Sequence, residues 1–135
     1  MIFFDTNVLI YASVNMGEEK LQKSQSVIEK AQQNDEFIVS TLLLQEYAFV
    51  LAKLKLSEAK IIDNTKVFSK YCKHSIDCTL LEQAFELAVE TSYFNNINDV
   101  IHLKFAERYA DKLVTFDKDF KKLQAFSSLN IEILK

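Results

Sequence analysis

The chain has 135 residues, 49% of them hydrophobic and 26% charged, a balance that suits a single globular domain over 1–135 with one sizeable core and excludes a disordered chain. One glycine, Gly17, and no proline exclude a glycine-rich phosphate loop and argue against an all-β protein built on tight turns. The net charge of −3 excludes a globally basic nucleic-acid binder, so any polyanion must be met by a local patch or through a cation.

Taken in order, Ile2-Phe3-Phe4 reads as a short buried strand and the apolar run from Val8 onward as a helix, with Asp5 at the junction. That start has no basic leader and is broken by Asp5 and Asn7. No signal peptide or membrane span is therefore expected, and the cytoplasm is the expected location. Glu18 to Gln33 spells a polar helix with Leu21, Val27, Ile28 and Ala31 inward. Phe37 to Ser40 reads as a second strand, and Thr41 opens a strongly apolar helix reaching about Leu54. Ser57 caps the next helix, whose stripe Ile61, Thr65, Phe68 and Cys72 fits a period of 3.6. Ser75 to Cys78 is a candidate third strand.

Leu80 to Phe94 is an amphipathic helix with Leu81, Ala84, Phe85 and Ala88 inward and Glu82, Glu86 and Glu90 in a solvated row. A loop at Asn95 to Asn98 leads to a helix from Asp99 to Ala110, a strand from Lys112 to Phe116, a short helical turn from Asp117 to Gln124 and a closing strand from Asn130 to Leu134. Strands alternating with helices predict a mostly parallel sheet covered on both faces. Cys72, Cys78, His74 and His102 match no paired-cysteine zinc spacing.

Four acids stand out from those on polar helix faces. Asp5 and Asp117 each follow a strand, on what a parallel sheet makes one edge, where ligands bind in open α/β folds. Glu46 interrupts a helix that is apolar nearly all round, with no lysine or arginine one turn away, so burial of that helix is expected and its charge needs a counterpart. Asp99 begins a helix behind Asn98, a candidate cap, where the helix dipole favours negative charge. Each acid also has a purely structural reading as a cap or a solvent-facing seam. Carboxylates gathered without a cation repel, and Mg²⁺ or Mn²⁺ resolves this through oxygen ligands while serving a phosphodiester. Lys118, Lys121 and Lys122 after Asp117, with a lysine-rich stretch from Lys53 to Lys73, suit loose phosphate contact. Asp119 could act as an outer ligand if the strand before Asp117 ran on by two residues.

The segments FFDTNVLIYA, STLLLQEYAFVLAK, NDVIHLKFA and LVTFDKDF stand in the order of a PIN-domain ribonuclease, and the chain resembles the small VapC-type toxins of toxin–antitoxin pairs. The resemblance covers nearly the whole length and implies a three-layer α/β/α fold with the first and fourth strands adjacent. It carries the family's acids onto Asp5, Glu46, Asp99 and Asp117, with Thr6, Asn7 and Thr115 in support. It further implies a Mg²⁺- or Mn²⁺-dependent endoribonuclease that dimerises and is held by a cognate antitoxin. FFDTN also resembles the nucleophilic aspartate of haloacid-dehalogenase-like phosphatases, but that family wants an aspartate where Asn7 stands. A catalytically silent PIN-like module that binds RNA or protein is the other alternative.

Overall fold

The computed structural model describes residues 1–135. Five strands, β1 (Ile2–Phe4), β2 (Phe37–Ser40), β3 (Cys72–His74), β4 (Lys112–Thr115) and β5 (Asn130–Ile133), form one sheet in the order β3-β2-β1-β4-β5. Every pairing is parallel. Seven helices fill the crossovers: α1 (Thr6–Ser13), α2 (Glu18–Gln33), α3 (Thr41–Lys53), α4 (Glu58–Ser69), α5 (Cys78–Thr91), α6 (Ile97–Tyr109) and α7 (Phe120–Gln124). The chain runs outward from β1 to β3 and then returns to place β4 on the other side of β1. The strand order therefore reverses between β1 and β4, as the resemblance implies.

Successive side chains of a strand point to opposite faces, and β1 uses this to build three layers. Phe3 packs against Phe105 and His102 of α6 at 5.4 Å between ring centres. Phe4 meets Phe37 on the other face, and Phe37 meets Phe68 of α4, which in turn meets Tyr47 of α3. Helix α5 packs on α6. Central strands β1 and β2 are buried on both sides, which is why they read as continuous apolar runs. The result is an α/β/α sandwich around one continuous core. No helix is long and apolar enough to cross a membrane.

Several elements differ from expectation for identifiable reasons. The third strand is Cys72–His74, not Ser75 to Cys78, because Asp77 is taken as the N-cap of α5, accepting from Leu80 N at 2.8 Å and from Arg108 at 2.7 Å. Cys72 fits the stripe of α4 in spacing, but α4 ends at Ser69 and Tyr71 O accepts from Val39 N, starting the pairing with β2. Helix α1 begins at Thr6 rather than Val8, with Asp5 in the cap position. Helix α5 stops at Thr91 because Ser92 turns left-handed at φ 58°, and a single 3-10 turn, Phe94–Asn96, follows before α6 opens at Ile97. Phe85 points outward beside Phe94 rather than into the core. Helix α3 buries only Leu43, Tyr47 and Leu51, and Phe49 is 60% exposed, so its apolar composition does not signal full burial.

Candidate active site

The register of the two central strands decides what faces what. Phe4 pairs with Val114, so the next residues, Asp5 and Thr115, emerge side by side at the carboxyl edge of the sheet. Asp5 N donates to Val114 O at 2.9 Å, extending the ladder by one step. The Thr115 hydroxyl then donates to Asp5 Oδ2 at 2.8 Å and accepts from Asp117 N at 2.9 Å. Asp5 Oδ1 accepts from Thr6 N at 2.8 Å, so both oxygens of this buried carboxylate are held. Asp117 is half-buried, and its Oδ1 accepts from Asp119 N at 2.9 Å. The strand ends at Thr115, which leaves Asp119 exposed at the start of α7.

Glu46 reaches the same edge from α3. Ser40, fully buried at the end of β2, caps this helix through Leu43 N at 3.1 Å and so fixes where its first turns begin. Glu46 Oε1 accepts from the Thr6 hydroxyl at 3.0 Å and Oε2 from the Asn98 amide at 2.9 Å. The second partner of Oε1 is Nε2 of His102, a residue with no exposed surface. Asn98 and His102 lie one turn apart on α6 and point the same way. Their bonds to Glu46 tie the α3 layer to the α6 layer across the sheet edge. Asn98 is therefore not the cap of its helix: Asn96 occupies that position, without a side-chain bond.

The electrostatics follow from this packing. Burial alone would raise the Glu46 carboxyl, but the His102 hydrogen bond and charge, with Asn98 and Thr6, hold it below its ordinary range. Burial likewise disfavours a charged His102, yet Glu46, Asp5 and Asp99 around it push the imidazole up. Asp5 is raised, first by burial and further by Glu46, against relief from His102, Thr115 and Thr6. Asp99 is raised to about 7 by burial and by the charges of Asp5, Asp117 and Glu46, with His102 opposing. The Tyr93 phenol is raised by burial and by Asp119, Asp117 and Asp99, and its buried oxygen has no hydrogen-bond partner.

Four carboxylates thus feel one another at one edge, and no lysine or arginine forms an ion pair with any of them. As the side chains stand, no group of three or more His, Cys, Asp or Glu is arranged to hold a metal ion. The chemistry of the donors, all of them carboxylate oxygens, and the raised Asp99 carboxyl nonetheless fit a hard divalent ion that takes few protein ligands and keeps its waters. Of the expected supports, Thr6 and Thr115 are bonded into the site, whereas Asn7 is exposed on the first turn of α1. Sequence reasoning gave His102 and Tyr93 no part in the site. A histidine set between Val100-Ile101 and Leu103, one turn beyond Asp99, was the available signal for the first. Tyr93 carried none, since its placement depends on the 3-10 turn.

Among solved structures, the chain superposes on VapBC2 from Rickettsia felis bound to a DNA fragment from its promoter. The TM-score is 0.68 with 19% identity, and the match covers 100% of both chains. No curated protein sequence gives a significant match. At 19% identity that superposition speaks for the fold alone. The sequence profile of the PIN domain matches residues 2–125, from the first strand through α7, and on that match the chain belongs to the PIN domain family.

Proposed function

We propose that this chain is a single PIN-like domain acting as a Mg²⁺- or Mn²⁺-dependent endoribonuclease, the toxin of a type II toxin–antitoxin pair of the VapC kind. The observation that supports it most is the gathering of Asp5, Glu46, Asp99 and Asp117 at the switch point of the sheet with no lysine or arginine to neutralise them. A divalent ion bound there would offset the charge of a phosphodiester and supply a nucleophilic water at neutral pH.

The chain's own residues supply the rest. Thr6 and Thr115 fix the oxygens of Glu46 and Asp5, while His102 and Asn98 hold Glu46 in place. Asp99 and Asp117 would contribute the remaining negative charge toward such an ion, with Asp99 in its deprotonated form. Water attacks phosphorus in line, the bond from phosphorus to the 3′ oxygen breaks, and that oxygen leaves protonated. The products are a 5′-phosphate and a 3′-hydroxyl, with no need for the ribose 2′-hydroxyl.

The structural neighbour is a VapBC2 assembly with promoter DNA, which supports a cognate antitoxin as this chain's partner. Phe85 and Phe94, 5.6 Å apart with 69%-exposed Val89 nearby on α5, leave apolar surface suited to a second copy. A cytoplasmic location accords with such a pair. Incubating the protein with total RNA, with EDTA or with Mn²⁺, tests the reading. Cleavage with Mn²⁺ that leaves 5′-phosphates, and its loss in Asp5→Asn, is expected. Binding of RNA without cleavage would return the chain to the class of silent modules.

A further inference from the structure

Beside the acids, an open cavity of about 780 Å³ lies between α1, the turn after β4 and the end of β5. It lies within the size range of ligand sites, roughly 300–1,000 Å³. Asn7 and Asp117 line it, so the cavity and the acidic edge share a wall. Tyr11 and Phe116 form its aromatic corner, with ring centres 5.2 Å apart and planes at 72°. Both rings are only half-buried, although a purely structural pair would gain more by closing the corner. Lys20, Lys118 and Lys121 surround it, and none is in an ion pair. Lys20 instead rests its ammonium over the Tyr11 ring at 4.7 Å.

We infer that this cavity receives one unpaired nucleotide next to the cleaved phosphodiester, with its base against Tyr11 and Phe116 and its phosphates met by Lys118, Lys121 and Lys20. The inference rests on the ribonuclease reading and specifies the form of its substrate. Aromatic side chains interleaved with lysines along a groove are what a single strand needs, because each base offers a π-face and each linkage a charge. A base in a duplex has both faces stacked already and cannot enter the corner. The chain's net charge of −3 is then no obstacle, since the strand meets positive charge locally, beside the acids. Asn7 is the neutral amide on this wall, placed to touch a base edge.

The test compares wild type, Phe116→Leu and the double variant Lys118→Ala/Lys121→Ala on a fluorescent unstructured oligoribonucleotide and on a fully paired blunt-ended duplex. Binding is read by anisotropy, and Mn²⁺-dependent cleavage as KM and kcat separately. Phe116→Leu should raise Kd and KM by about ten-fold while kcat changes by about two-fold or less, as removal of one stacked base implies. The lysine pair, which lies on the surface and does not threaten folding, should weaken binding and reduce its salt dependence by about 0.7 per lost phosphate contact. Equal affinity of all three proteins for the single strand overturns the inference, as does wild-type preference for the duplex. If wild type binds the strand through these residues but cuts nothing, the cavity assignment stands and the ribonuclease reading falls.

Discussion

The Thr115 hydroxyl donates to Asp5 and accepts from the Asp117 backbone, so one buried oxygen orders two acids at the end of the sheet. Thr115→Val keeps the shape and removes both bonds, leaving a buried carboxylate oxygen and an N–H unpaired. We expect a loss of about 1–3 kcal/mol in chemical denaturation together with a fall in cleavage, and Thr115→Ser should recover both. Unchanged stability in the valine variant would contradict this. Asp99 gives a pH dependence of definite sign. Burial and the neighbouring carboxylates push its folded carboxyl up from an ordinary 3.8 to about 7, so between those values the folded state holds a proton that the unfolded state has lost. Metal-free stability should therefore fall as pH rises from about 4 to about 7. His102, raised above 6.5, acts in the same direction near neutrality, since its contribution fades as pH climbs through its folded value. Glu46, lowered from 4.5, contributes the opposite sense, losing stability only in acid. Melting curves in EDTA at about pH 5.5 and pH 8 check the sum, and a higher midpoint at pH 8 would refute it.

At the level of elements, α3 decides where Glu46 stands, and Ser40 decides where α3 begins. Ser40→Ala leaves Leu43 N unpaired in a buried cap and should cost about 1–2 kcal/mol. It should also reduce cleavage, because the turn carrying Glu46 loses its anchor. Strand β4 separates the two nearby aspartates in the same way. It ends at Thr115, so Asp117 is tied into the edge and Asp119 is left on the surface. Asp117→Asn should lose far more Mn²⁺-dependent cleavage than Asp119→Asn, and the reverse order would reassign the acid. Which elements were legible follows from how each is buried. Strands β1, β2 and β4 lie inside the sheet and show as apolar runs, and α2 shows its stripe. Strand β3 has three residues at an edge and is mostly exposed, so no period marks it. Helix α3 misled because an apolar helix face left open to solvent has the same composition as a buried one.

For the whole molecule, the acids were legible in sequence while their counterpart was not. Asp5 and Asp117 follow apolar strands, and Glu46 breaks an apolar helix, all visible in the chain. The proton-bearing partner of Glu46 comes from α6, 56 positions away, and only the folding of α6 against Phe3 brings His102 to it. A cation that binds only the assembled edge must stabilise the fold. Mn²⁺ should raise the melting midpoint, most at high pH where Asp99 is ionised, and Glu46→Gln should shrink the rise. No shift at millimolar Mn²⁺ would count against a metal site.

The bond between Asp5 and Thr115 joins residues 110 positions apart, and the two strands that carry them are neighbours. A ribosome makes β1 first and leaves its β4 edge bare until most of the chain has emerged. Asp5 and Glu46 are therefore made well before Asp99, Asp117 and the hydroxyl that aligns them. Contacts so distant in sequence also form slowly. The acidic edge therefore has no half-molecule form: it is complete only when β4 has docked beside β1.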